Sequence, residues 1–358
     1  MKSLCVLLVL VSAPALANDA PAAPDCIAAV TPVVTLGFGS RYTDDSKSRS
    51  DFDEDSDAAV TAALKPIDDF ITDLAKQTDY LLQADVAKDP PPADQEAQLA
   101  VANCVIDRIN EWAAAGALAD LTTLGANLSA PSRVGGIAFA YDAVRSRIPP
   151  DGRTKAIDTW LSDRARQTMI FFDTEAPPRA SQNNLRAWAG LAVTRVGLTL
   201  DDPTLIEWGA ASANLVACTA SSDGSLPNEM WRAKLALHYQ LHATGPLVVT
   251  AALLRDARPG LMGDCDGAIL RIVRFTLDGL ADPEIVKTIT GKTQSVGGKS
   301  KPARDFELAW GAAFLSLNPD SKVEAFIAPI EKLGNSKLGG DQRLLWPNGS
   351  AAAAPSDG

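Results

Sequence analysis

Histidine is nearly absent from this chain: there are two in 358 residues, His238 and His242. A Ser-His-Asp hydrolase needs an imidazole beside its nucleophile, and no GxSxG motif accompanies either histidine. Their HxxxH spacing resembles a zinc helix, but the glutamate that follows the first histidine of a zincin is Tyr239 here, so no metal site is expected. GxGxxG and P-loop motifs are missing in any credible context. Positive charge is scarce as well: 33 Lys and Arg face 44 Asp and Glu, a net charge of −11. That balance excludes general attraction to nucleic acid or to any anionic polymer. No run of about 18 uninterrupted apolar residues occurs, so no transmembrane helix is expected. Strand-like alternation is rare.

What is present begins with an export signal. Lys2 precedes the apolar run Leu4 to Val11, and Ala15-Leu16-Ala17 is an A-x-A cleavage site. Residues 1–17 are read as a signal peptide, and a periplasmic or secreted protein without membrane insertion after cleavage is expected. Cys26, Cys104, Cys218 and Cys265 then remain, an even number for an oxidising compartment. They form no CxxC pair, and three pairings are open. Residues 18–55 read as an extended segment. From 56 to 346 the pattern is helical, with apolar residues at 3.6 spacing over Asp57–Leu82, Gln95–Ala115, Val134–Arg147, Thr154–Phe172, Asn183–Val196, Thr204–Cys218, Met230–Leu254, Ala268–Leu280 and Phe306–Leu315. Pro and Gly clusters separate several of them. An all-α chain of hairpins packed in a ring or solenoid follows. Gly291 to Lys301, rich in Gly, Lys, Ser and Thr, reads as a mobile loop near a cleft, and 347–358 as a disordered tail.

Two segments can carry chemistry. In Asn183-Asn184-Leu185-Arg186-Ala187-Trp188 the asparagines are good helix N-caps. The functional reading is that Asn184 and Arg186 hydrogen-bond a substrate carboxylate as negative charge accumulates on it. In the second segment Leu226-Pro227-Asn228-Glu229 leads to Arg232, Tyr239 and His242. Arg232 and Tyr239 are about two turns apart on a continuous helix, with His242 on the same face. The bland alternative is a partly exposed amphipathic helix.

At these segments the chain resembles the alginate (poly-mannuronate) lyases of polysaccharide lyase family 5. That family has Asn-Asn-His followed by an aromatic residue, and Leu-Pro-Asn-Glu followed by an Arg seven residues ahead of a catalytic Tyr. Further likeness lies in Gly39-Ser40-Arg41-Tyr42, in Cys104 to Leu118, in Asp305–Trp310 and in Lys337–Asp341. The resemblance implies an incomplete (α/α) toroid around a long cleft. It implies Tyr239 as the group that takes the C5 proton and returns a proton to O4, with Arg232 beside it, and Asn184 on the uronate carboxylate. Arg41 stands where the family has a substrate-binding lysine. Asn183, Arg186, His242 and Trp188 are expected to contact substrate, and no cofactor is implied.

One departure matters: the family's histidine is Leu185 here. Arg186 or His242 is expected to take over its work, and Arg232 to lower the Tyr239 pKa toward neutrality. The change points to a polymer other than alginate, with glucuronate-containing exopolysaccharide first and mannuronate second. The expected partner is thus an anionic polysaccharide, met by a monomer beside an exopolysaccharide export complex. A catalytically inactive polysaccharide-binding protein of that export system is the alternative that Leu185 favours. A glycoside hydrolase would instead need two carboxylates across the cleft, for which Asp142, Asp223 and Glu229 are candidates.

Overall fold

The structure is a computed structural model that describes residues 22–86 and 92–347. The expected signal peptide and all of the expected tail except Pro347 lie outside the described residues. The chain is built of helical hairpins. Helices α1 (Glu54–Val86) and α2 (Pro92–Ala114) form the first, α3 (Leu124–Arg145) and α4 (Gly152–Thr174) the second, and α5 (Asn184–Leu200) and α6 (Pro203–Ala217) the third. A single turn, α7 (Pro227–Met230), precedes α8 (Ala236–Leu253), which pairs with α9 (Asp264–Ala281).

The first helices of the hairpins touch in succession, α1 on α3, α3 on α5 and α5 on α8; their partners do the same, α2 on α4, α4 on α6 and α6 on α9. Two curved rows result, the inner one facing a cleft. This is the incomplete (α/α) toroid of the sequence reading. Short pieces follow: α10 (Glu284–Thr290), α11 (Gly311–Leu317), α12 (Ser321–Ile327) and α13 (Gln342–Leu345). Of these, α11 and α13 span the open side, since α11 packs on α8 and α13, and α13 packs on α1, whereas α10 packs on α8 and α9.

Burial explains which helix goes where. In α3 every residue from Arg133 to Tyr141 is buried, and α5 is buried from Arg186 to Thr194. Helices apolar on all sides belong inside. The outer α9 keeps one stripe, Ile269, Ile272, Val273, Thr276, Leu277 and Leu280, and exposes Arg274 and Asp278. Small residues let the rows close up: a Cβ on Gly209 of α6 would sit 2.0 Å from Thr194 Oγ1 of α5. Starts are capped, as where the Asp151 carboxylate accepts from the Arg153 and Thr154 amides and where Asp202 precedes Pro203.

The structure departs from the pattern reading at four places. Helix α3 begins ten residues before the expected Val134, because burial holds a helix through Pro131 and Gly135-Gly136, residues that break the sequence pattern. The expected helix Met230–Leu254 is interrupted: Ala233 has φ of 50°, and α8 starts only at Ala236. The expected helix from Phe306 begins at Gly311, after a 3-10 turn at Asp305–Glu307. Gly291–Lys301 lines no part of the cleft. Gln294 is buried there, accepting from the Leu237 amide and donating to the Ala233 carbonyl, so the segment braces the start of α8 from behind.

The N-terminal segment is tied at several points. Strand β1 (Thr35–Leu36) pairs in parallel with β2 (Asp120–Leu121), Tyr42 bridges to Phe52, and Cys26 is disulfide-bonded to Cys104. A second disulfide, Cys218–Cys265, joins the end of α6 to the start of α9. At the far end β3 (Gly334–Asn335) pairs antiparallel with β4 (Gly340–Asp341), and Asp79 of α1 accepts from the Asp341 amide at 2.8 Å while pairing with Lys332. No helix among the described residues is long and apolar enough to cross a membrane.

The first disulfide spans 78 residues. Replacing both Cys26 and Cys104 by Ser should cost about 4 kcal/mol through the larger unfolded-state entropy, measured in urea as a lower midpoint with a slope equal or steeper, because the unlinked unfolded chain exposes more surface.

Candidate active site

The inner row and the C-terminal pieces enclose a cleft of ≈ 1320 Å³. Nine Lys and Arg line it, Arg41, Arg49, Lys76, Arg133, Arg179, Arg232, Arg304, Lys332 and Lys337, against four acids, Asp68, Asp79, Asp305 and Glu307. The wall is therefore cationic in a chain whose net charge is −11, and its field favours an anionic occupant.

At its floor stands Tyr239, in the first turn of α8. The sequence before it makes a compact approach. Asp223 caps the turn by accepting from the Ser225 amide and hydroxyl. Gly224, at φ of 94°, lies so close to the Arg271 carbonyl that a Cβ would be 2.1 Å away. Buried Gln240 of α8 donates to the Gly224 carbonyl and accepts from the Leu226 amide. Pro227 then starts α7. Arg232 follows outside any regular helix, so the two-turn spacing on one helix face does not bring it to Tyr239; the interruption at Ala233 does. Its guanidinium carbon lies 3.6 Å from the centre of the Tyr239 ring. It also donates to the carbonyls of Ser48 and Arg49 and, at 2.7 Å, to the Tyr42 hydroxyl. Tyr42 in turn shares a short hydrogen bond with the Tyr239 hydroxyl.

Enclosure at the cleft floor holds the Tyr239 phenol well above its ordinary pKa; the charge of Arg232 pulls it down and Tyr42 pushes it up. The expectation that Arg232 would bring this group toward neutrality is thereby overturned: desolvation outweighs the single cation.

Asn184 opens α5. Asn183 is its N-cap, accepting from the Leu185 amide at 2.9 Å, and both asparagines and Leu185 line the cleft. The Asn184 backbone amide donates to Glu229 Oε1 at 2.7 Å, and its Nδ2 lies 3.0 Å from each Glu229 oxygen. Glu229 is fully buried, which raises its pKa to about 7 although Asn184 and Arg232 both oppose the shift.

His242 lies one turn beyond Tyr239. Enclosure, then the charges of His238 and Lys337, press its pKa well below the usual histidine value, so the imidazole is neutral at pH 7. Trp188 lines the same wall and donates its indole N–H to the His242 carbonyl at 3.1 Å. Arg41 reaches the cleft while paired with Asp57 at 2.8 Å.

The family model for alginate lyase matches residues 39–286. A polysaccharide lyase of Stenotrophomonas maltophilia is 30% identical over 292 residues, covering 80% of this chain and 81% of that one. The chain belongs to the alginate lyase family. An alginate lyase of Azotobacter vinelandii is 26% identical over 92% of this chain and 85% of its own. Among solved structures, alginate lyase A1-III of Sphingomonas species A1 superposes with a TM-score of 0.69 at 22% identity, covering 91% of this chain and 88% of that one. A variant of A1-III complexed with tetrasaccharide gives 0.71 at 21%, covering 91% and 87%. By family the chain is a polysaccharide lyase.

For a lyase of this family the structure gathers Tyr239, Arg232, Asn184, Asn183, His242, Trp188 and Arg41 at one cleft. Arg186 is the exception and a correction. Two residues after Asn184 on a helix is a rotation of about 200°, which turns Arg186 to the outer row. It donates to Ser212 and pairs with Asp173, each at 2.8 Å, and lies 4.2 Å over the Trp208 ring. The three hydrolase carboxylates do not flank the cleft either: Asp142 is bound to Arg195 and Thr199, Asp223 to its own turn, and Glu229 lies behind Asn184. Tyr42, quoted only as part of a family segment, was the missed participant. No local pattern marks it, since its contact with Tyr239 spans 197 positions.

Arg186→Ala should lower stability by roughly 2 kcal/mol through lost buried hydrogen bonds and packing. It should leave cleavage kcat/KM within about twofold, because the side chain never faces the cleft; steady-state kinetics beside thermal melts checks both.

Proposed function

We propose that this lyase cleaves a uronate-containing exopolysaccharide by β-elimination, with Tyr239 as base and then acid. The observation that carries the reading is the tyrosine hydroxyl at the floor of a cationic cleft, with Arg232 on its ring and Asn184 on the same cleft wall. Asn184 holds the uronate carboxylate, which makes the C5–H bond acidic. The Tyr239 phenolate takes that proton. The electron pair forms the C4–C5 double bond and expels O4, which receives the proton back from Tyr239. In β-mannuronate and β-glucuronate the C5 hydrogen and O4 lie on one side of the ring, so a single group serves both steps.

The raised phenol pKa makes the phenolate the minor form at pH 7, so kcat/KM climbs with pH on the acid side. Leu185 offers no polar atom to the carboxylate. His242, neutral on the same wall, is the side chain that supplies a second hydrogen bond there, while Arg41, Asn183 and Trp188 hold neighbouring sugars. Leu185 favours glucuronate-bearing exopolysaccharide over mannuronate. The leader-like N-terminus and the two disulfides fit work in the periplasm or outside the cell; the proposal places a monomer there, beside an export system for that polymer.

Purified mature protein is to be followed in the ultraviolet band of a 4,5-unsaturated uronate, against polymannuronate, polyguluronate, glucuronan and glucuronate-bearing exopolysaccharides. A rise on one polymer, lost at least about 1000-fold in Tyr239→Phe and lowered in His242→Ala, is expected. Binding without any absorbance change would leave the inactive polysaccharide-binding protein in its place, with Leu185 as the cause.

A further inference from the structure

One charged group of the site has no part in the elimination just described. Glu229 is 0% exposed, lines no part of the cleft, and is held behind Asn184, which does. It faces the N-terminus of α5, where it accepts the Asn184 backbone amide at 2.7 Å. Arg232 is the charged group that acts on it. The Asn184 side chain bridges Glu229 and the cleft. Its Nδ2 is turned to Glu229, and its Oδ1, buried, has no hydrogen-bond partner.

This orientation conflicts with the work of Asn184. A uronate carboxylate needs donors, and the amide that should supply them commits its nitrogen to Glu229 and leaves its oxygen unpartnered. The opposite orientation sets Oδ1 against the Glu229 oxygens, which repels as long as Glu229 is a carboxylate. It becomes favourable when Glu229 carries a proton, because the acid O–H then donates to Oδ1. The second Glu229 oxygen still accepts the backbone amide. In that state the whole –NH₂ group is free for the substrate, and one negative charge fewer lies behind it.

We propose that Glu229 is a proton-controlled positioning residue: its protonation turns the Asn184 amide so that nitrogen, not oxygen, meets the substrate carboxylate. The proposal rests on the lyase reading for the identity of that carboxylate. Beside the hydrogen bond assigned to His242, it makes Asn184 a full donor at the end of α5 where Leu185 offers none. Burial places the Glu229 titration at about 7, so the binding-competent form prevails below neutrality and declines above it. Glutamine is a permanent copy of that form: its –NH₂ donates to Oδ1 and its oxygen accepts the Asn184 amide.

The test separates binding from chemistry by using Tyr239→Phe as background, with mannuronate and glucuronate tetrasaccharides as probes in calorimetry at pH 6, 7 and 8.5. With Glu229 present, affinity should fall about tenfold per pH unit above the midpoint, so that Glu229→Gln binds roughly 30-fold tighter at pH 8.5 and equally at pH 6. A Kd that is flat with pH while Glu229 is present overturns the proposal, as does weaker binding of Glu229→Gln at pH 6. In the ligand-free protein the Asn184 side-chain amide, assigned by its loss in Asn184→Ala, should shift in ¹⁵N spectra with a midpoint near the same pH, and should not titrate in Glu229→Gln. An amide that does not titrate with Glu229 present sinks the idea, even if Glu229→Gln fails to fold. If neither tetrasaccharide binds, the lyase reading fails, and the amide titration still decides the role of Glu229.

Discussion

A single hydrogen bond, from the Trp188 indole to the His242 carbonyl, joins the two helices on which the cleft chemistry rests. Asn184 stands one turn before Trp188 on α5, and Tyr239 one turn before His242 on α8. The bond therefore adds a directed tie, close to Asn184 and Tyr239, between two helices already packed together. Apolar packing of α5 on α8 supplies most of the adhesion, but packing of small and branched side chains tolerates shifts that a directed bond does not.

A second constraint runs across the cleft. Arg232 holds several parts together: its Nε and Nη2 donate to the backbone of residues 48 and 49 and to the Tyr42 hydroxyl, and its guanidinium lies on the face of Tyr239. The N-terminal segment, which has little helix or sheet of its own, thereby becomes a wall of the site. The cationic lining and the acidic exterior serve separate purposes. An acidic exterior repels polyanions at long range, and a cationic lining attracts them only over the short range within which screening is incomplete.

Much of the architecture was readable in the sequence, for a physical reason. Inner helices such as α5 and outer ones such as α9 differ in how many faces are apolar, and that difference is a property of local spacing. The Asn183-Asn184 cap was equally local and proved to be both cap and cleft wall. What could not be read depended on distant partners. The helix continuing through Pro131 survives because of its burial, which no window of sequence contains. Arg186 seemed to belong with Asn184 because it is near in the chain, yet helical rotation sends it to Asp173 and Ser212. The Tyr239 pKa was misjudged because one visible cation was weighed without the desolvation that only the enclosed site imposes. Glu229 was noticed as a carboxylate, but its partner Asn184 lies 45 positions away.

Leu185 sits on the border between two environments. It lines the cleft, and it also packs against the small cluster of Phe171, Phe172 and Ala189 at the end of α4 and on α5. A side chain there is supported from behind by aromatic rings that accept an aliphatic or a flat polar group with little adjustment. Position 185 is thus cheap to vary: neither the α5 seam nor the Asn183 cap depends on what occupies it. A substitution at 185 therefore repaints a patch of the cleft lining while the scaffold around it stands still.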